Sequence, residues 1–287
     1  MRHVLPVLAV VAAIIVAWYG AAAWMNSQWT LDQAAREGRE LTIVDIVNDT
    51  MVQERPKLPA PHQVGAELWK TVVATRPGSK RSLLWHGWVT LSATAAGFGI
   101  GTVAGLLLAV GIVHSRAMDL SVMPWAVASQ TIPVLAIAPM VIVVLNSVGV
   151  SGLLPKAVIA GWLSFFPVVV GMVKGLRAPE PMQLDQMATW NASRGQLFWK
   201  LRLPASMPWL FASLKVAVAA ALVGTIVGEL PAGATSGLGA RLLSGSYYGQ
   251  TVQIWAALVA AAVLAAGLVA LVAATERLVL GRMGMRR

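Results

Sequence analysis

Six apolar runs, each near the length of a bilayer-spanning helix, constrain this chain more than any other feature: residues 4–24, 89–113, 123–145, 154–173, 208–227 and 252–279. A hydrocarbon core of about 30 Å is crossed by ~20 helical residues, so runs of this length read as transmembrane helices. Composition agrees, with 57% hydrophobic and 12% charged residues over a length of 287, and a mean hydropathy of +0.70. Lipid is the main solvent of such a chain. The expected fold is an all-α membrane protein of six transmembrane helices in one principal bundle.

The formal charge of +10 comes from 22 Lys and Arg against 12 Asp and Glu. In a soluble protein this excess would point to nucleic acid, but basic flanks beside apolar spans are what the positive-inside rule requires, and no nucleic-acid partner is expected. The stretch 174–208 carries Lys174, Arg177, Arg194, Lys200 and Arg202 against Glu180 and Asp185, and the tail carries Arg277, Arg282, Arg286 and Arg287 against Glu276. Both are expected on the cytoplasmic side. Six spans then place both termini inside and put 26–85, 146–152 and 229–251 outside. The first run, after Arg2, exceeds a signal-peptide core of ~7–15 residues and is expected to be a retained anchor. The expected organisation is an N-terminal anchor over 1–25, an extracytoplasmic segment over 26–85, and a core over 86–287.

Within the spans, Gly97, Gly101 and Gly105 recur every four residues, with Gly99 beside them, a pattern that lets another helix approach closely. Trp18, Trp24, Trp85, Trp88, Trp209 and Trp255 lie near span ends, where the indole suits the headgroup level. Lys215 and Glu229 sit near enough to an end to be expected as interface anchors. The run 123–145 contains Ser129, Gln130 and Thr131 just before Pro133, with Pro139 beyond. Two prolines remove two backbone donors. Such a segment either lines a solute pathway or is a proline kink stitched by hydroxyls to its neighbours.

Catalysis has little to build on. No H-E-x-x-H occurs, His3, His62, His86 and His114 are scattered, there is no cysteine, and acidic residues are nearly absent from the spans. No metal or cofactor is expected. No G-x-x-x-x-G-K-[ST] occurs either, so ATP-driven transport would need a separate ATPase subunit. A secondary transporter would want midplane carboxylates and repeated halves, and neither is evident. A purely structural scaffold would explain the spans alone.

The stretch 179–229 is basic and helix-compatible and runs through Pro204 and Pro208 into a span. By itself it suits a helix pair docking a cytosolic partner, or an interfacial helix on anionic lipid. Its spacing resembles the EAA loop of binding-protein-dependent ABC importer permeases: Glu-Ala-Ala, three residues, Gly, nine residues, Ile-x-Leu-Pro. Here Asp185-Gln186-Met187 stands first, Asn191 replaces the Gly, and Leu201-Arg202-Leu203-Pro204 closes the motif. A Gly between two short helices suggests a left-handed turn, which Asn tolerates. Pro133-Val134-Leu135-Ala136, Pro139, Phe165-Phe166-Pro167, Gly237-Leu238-Gly239 and Glu276-Arg277 resemble the nitrate, sulfonate, taurine and pyrimidine-precursor branch.

The resemblance implies a five-helix core preceded by one extra helix, paired with a second permease copy. It further implies a cytosolic ABC ATPase gripping Asp185, Gln186, Met187, Asn191, Leu201, Leu203 and Pro204, and an extracytoplasmic solute-binding protein. The chain itself would be a transport subunit of the inner membrane, not an enzyme. A pathway faced by Ser129, Gln130, Thr131 and Pro133 offers little fixed charge. The expected solute is therefore a neutral pyrimidine-type heteroaromatic, with a sulfonate, taurine or nitrate as the alternative.

Overall fold

The computed structural model describes residues 4–231 and 234–285, and among these it contains only helices and their connections. Twelve α-helices follow in order: α1 (Val4–Glu37), α2 (Ile43–Val52), α3 (Pro61–Trp69), α4 (Leu83–His114), α5 (Arg116–Ala128), α6 (Val134–Ser147), α7 (Leu153–Leu176), α8 (Pro181–Thr189), α9 (Arg194–Leu197), α10 (Leu203–Gly228), α11 (Leu238–Tyr247) and α12 (Thr251–Arg282). Five helical stretches are long and apolar enough to cross a membrane: Leu5–Glu37, Leu83–His114, Leu153–Leu176, Arg194–Gly228 and Thr251–Arg282. Among the described residues a sixth is reached only if α5 and α6, bent by 100° at their junction, are counted as one span. The expected third span, 123–145, is thus not one straight helix. Pro133 has no N–H to donate, and the residue before a proline is pushed to extended backbone. Ile132 accordingly sits at φ −78°, ψ 120°.

The chain divides into two compact units, Met1–Gly87 with Ser236–Ala261, and Trp88–Thr235 with Ala262–Arg287. In the first, α1 continues beyond the expected 4–24 run and the following polar stretch packs back on it. Asn26 is buried at 1% exposure, donating to the Leu58 carbonyl at 2.8 Å and accepting from the Leu58 amide at 3.2 Å. Trp18 donates its indole N–H to the Pro59 carbonyl at 3.0 Å and lies 5.0 Å from the ring of Trp255. These two indoles are thus packed within the unit. Thr251 donates to the Pro56 carbonyl at 2.5 Å, and His86 accepts the Gly237 amide at 3.0 Å.

The second unit is built on α7. A core of Ala109, Ile112, Val169, Met172, Val173 and Leu176 lies between α4 and α7, and α10 packs along α7 over nearly its whole length. Small residues make this possible. A β-carbon on Gly105 would stand 2.8 Å from the Phe165 carbonyl oxygen, and one on Gly101 would stand 2.7 Å from the Gly161 carbonyl oxygen, distances that force a shift. Gly99 has nothing within 4 Å and is not part of the stripe.

Glu229 caps α10 and is fully buried. The Thr90 hydroxyl oxygen lies 2.9 and 3.0 Å from its two carboxylate oxygens, Lys156 Nζ lies 3.5 Å away, and one turn along α4 Thr94 donates to Thr225 at 3.0 Å. A charge this deep is tolerated because it is paired and hydrogen-bonded. The expected interface anchor at Glu229 is corrected to a buried clamp across α4, α7 and α10. Lys215, half-buried, pairs with Glu276 at 2.5 Å. Neither pairing is visible in sequence, because the partners lie far apart along the chain.

Overpacking of a tight helix contact costs about 1–3 kcal/mol. Gly101→Leu is therefore expected to lower the thermal midpoint of the purified chain by several degrees, whereas Gly99→Leu leaves it unchanged. Equal midpoints for both variants would contradict the packing described.

Candidate functional site

The stretch between α7 and α10 folds into a defined helix–turn–helix. Pro181 opens α8 at its first position, where a missing N–H is harmless, and Gln183 accepts the Glu180 amide at 3.1 Å. The helix then ends on a left-handed residue. Asn191 has φ 51°, the only positive value at a non-glycine position among the described residues. The Ala192 amide donates to the Met187 carbonyl at 3.0 Å and the Asn191 amide to the Ala188 carbonyl at 2.9 Å. These are the two hydrogen bonds of a Schellman closure. The left-handed turn expected at Asn191 is present.

Two residues later a reciprocal cap starts the next helix: the Gln196 amide donates to Ser193 Oγ at 3.3 Å, and the Ser193 amide donates to Gln196 Oε1 at 2.9 Å. Helix α9 passes through one wider turn, Phe198–Arg202, directly into α10. The two helices are thus each capped by local hydrogen bonds, which a floppy connection would not be.

Their packing is one-sided. No residue of α8 is buried, and Met182, Trp190 and Trp199 are 74%, 67% and 68% exposed, so the module carries large apolar side chains that the described residues leave mostly uncovered, with Trp199 meeting only the edge of Phe198 among aromatic rings, at 5.2 Å between centroids. Phe198 and Leu203, in contrast, pack against the α4–α7 core. Phe198 also meets His114 edge-on at 5.5 Å between ring centroids. Among the motif residues, Asp185, Gln186 and Asn191 are exposed, Met187, Leu201, Leu203 and Pro204 are half-buried. Sequence reading missed Phe198. A phenylalanine at the join of two helices gives no signal until its contact with Ile112 and its neighbours is seen.

The segment 129–133 is separate. Ser129–Thr131 form a single 3₁₀ turn at the end of α5, followed by the break at Ile132 and Pro133. Ser129 donates to the Ala126 carbonyl at 2.7 Å and Thr131 to the Ala128 carbonyl at 2.8 Å, so both hydroxyl protons satisfy carbonyls left over by the end of α5. Gln130, Thr131 and Pro133 are exposed and Ser129 is half-buried. The two candidate regions sit on different elements and share no residue. No group of three or more potential metal-ligating side chains occurs among the described residues.

Comparison with known proteins gives a consistent result. The family described as the binding-protein-dependent transport system inner membrane component matches residues 101–284. A probable ABC transporter permease protein of Haemophilus influenzae is 35% identical over 61% of this chain and 70% of its own length. A formylaminopyrimidine transport permease of Halalkalibacterium halodurans is 31% identical, over 69% of this chain and 75% of its own. A riboflavin transport system permease of Chloroflexus aurantiacus is 32% identical, over 77% and 78%.

Valine tolerates a left-handed turn poorly, at a cost of about 1–2 kcal/mol. Asn191→Val is expected to raise amide exchange across 186–197 by roughly tenfold, while Asn191→Gly leaves it near the original rate. Unchanged exchange in the valine variant would show that this turn does not hold the helix pair.

Proposed function

This chain belongs to the family of binding-protein-dependent transport inner-membrane components and is an ABC importer permease; on that premise we propose that α8 and α9 are its coupling module, seated in a groove of a cytosolic ATPase. The observation that carries this reading is the division of the module between exposed and rooted side chains. Met182, Trp190 and Trp199 leave most of their surface exposed, while Phe198 and Leu203 root the module into the α4–α7 core. Exposed apolar side chains on a rigid element favour a partner surface. Asp185, Gln186, Met187 and Asn191 would meet the ATPase, while Leu201, Leu203 and Pro204 carry its displacement into α10. ATP can shift the permease only because the closed ATPase dimer fits one arrangement of these helices better than another.

A second copy of the chain completes the pathway in this proposal, and an extracytoplasmic binding protein delivers the solute. Both termini and 174–208 lie in the cytoplasm, with 26–85 and 229–251 outside. Support for a common side comes from the Thr251–Pro56 and His86–Gly237 hydrogen bonds, which join those two outer stretches within one unit. The pathway runs past Ser129, Gln130, Thr131 and Pro133. There the chain is broken and Gln130 presents an amide in a setting of little fixed charge, which suits a neutral polar solute. Relatives named for formylaminopyrimidine and riboflavin transport favour a nitrogen heteroaromatic over a sulfonate or nitrate.

Two measurements test this. Single cysteines at Arg39 and Ser244 are expected to react with an impermeant thiol reagent on intact cells and one at Ser193 is not; labelling of Ser193 would invert the topology. In proteoliposomes holding the ATPase and the binding protein, Gln130→Leu is expected to reduce heteroaromatic uptake several-fold. Unaltered uptake would remove Gln130 from the pathway, and uptake of sulfonate or nitrate alone would overturn the solute.

A further inference from the structure

The family match begins at residue 101, so nothing in it covers the stretch that precedes α4. Within the unit formed by Met1–Gly87 and Ser236–Ala261, that stretch and the α11–α12 connection enclose a polar cleft of about 630 Å³. Arg55, Lys70 and Arg81 line it from the N-terminal side and Arg241 from α11, against two carboxylates, Glu54 and Glu67. The excess is two positive charges, four minus two. None of these six side chains forms an ion pair among the described residues.

Arg241 is the centre of the arrangement. It is half-buried, and its Nε is shut off from solvent with no acceptor among the described residues, a state that buried donors seldom occupy without a water, ion or ligand to meet them. Burial lowers its pKa from the ordinary arginine value, and the Glu67 carboxylate opposes that shift. The guanidinium is thus a partly desolvated cation whose field is opposed by Glu67 but by no ion pair among the described residues. Its backbone is held in place: Gln253 Nε2 donates to the Arg241 carbonyl at 3.2 Å, as does Ser244 Oγ at 3.1 Å. The Thr251–Pro56 hydrogen bond ties the two walls together.

We propose that this cleft binds a small organic oxyanion, a carboxylate, sulfonate or phosphate, whose oxygens accept from the Arg241 guanidinium while Lys70, Arg81 and Arg55 offset its charge. The planar guanidinium fork matches two oxygens of such a group. The volume falls within the range of about 300–1,000 Å³ that holds metabolite-sized ligands, and a half-buried arginine between two walls is within reach of a small molecule more readily than of a flat protein face. Glu67 stands on the same site as a carboxylate competing with the ligand, so it weakens binding. The proposal does not depend on the coupling reading or on the solute transported.

The full chain in lipid nanodiscs, titrated calorimetrically with sulfate and with benzenesulfonate at constant ionic strength, tests it. Saturable binding is expected for both probes. Arg241→Gln is expected to weaken it by at least about tenfold, the usual scale for a hydrogen bond to a charged group. Glu67→Gln is expected to tighten it about threefold by removing a like charge from the anion's surroundings. A fold defect would weaken both variants, so the opposite signs distinguish a site from a damaged protein. Arg76→Gln, an exposed residue outside the cleft, is expected to leave binding unchanged. Non-saturable heats, equal binding by wild type and Arg241→Gln, or weaker binding by Glu67→Gln would overturn the proposal.

Discussion

The close approach of α7 to α4 and α10 is the contact on which the Trp88–Thr235 and Ala262–Arg287 unit depends. In lipid there is no hydrophobic gain in bringing apolar helices together, so association rests on packing and on the few hydrogen bonds available. Gly97, Gly101 and Gly105 on α4, and Gly171, Gly175 and Gly224 on the α7–α10 side, remove the side chains that would hold the backbones apart. Thr90, Glu229 and Lys156 then close one end of the same three helices with a buried ionic contact, from which removal of one partner would leave an uncompensated charge. The result is a stiff three-helix block.

That stiffness gives the helix–turn–helix between α7 and α10 its significance. A module that is locally capped at Ser193, closed at Asn191 and rooted by Phe198 and Leu203 is joined to the block rather than hung from it as a loop. The module runs directly into α10, and α10 packs along α7. The break at Ile132 and Pro133 lies on the chain immediately before α6, where a bend already exists and a change of angle costs less than it would in a straight helix.

Much of this was legible in the sequence, for identifiable reasons. Span positions follow from apolar length, and the glycine stripe follows from a spacing of four, so the stripe of Gly97, Gly101 and Gly105 and five of the six expected spans survive in the structure with their boundaries moved, while the third is broken. Asn191 was readable because one residue type in the right register stands for one backbone conformation. Other features were not. Glu229 looked like a residue at a span end because its partners Thr90 and Lys156 are distant in sequence, and a single chain carries no mark of such pairings. Gly99 resembles its neighbours in the stripe but faces away. The bend of 100° was foreshadowed by Pro133, yet a proline predicts a weakened helix without saying how far it turns. Asn26 and the helices that follow it were hidden for another reason: their polar composition suggests a connection, and the burial of Asn26 comes from a contact with Leu58 that no periodicity announces.

The central claim is that the exposed face of α8 and α9 meets an ATPase, and the absence of cysteine from the chain makes a direct measurement possible. A single cysteine introduced at Gln186 is to be tested for disulfide formation with cysteines scanned across the surface of the partner ATPase, in membranes containing both proteins. The account predicts rapid crosslinking confined to one groove of the ATPase, at a rate that changes when ATP is bound. Crosslinking at no ATPase position, with equal or faster crosslinking from a cysteine at Arg39, would contradict it.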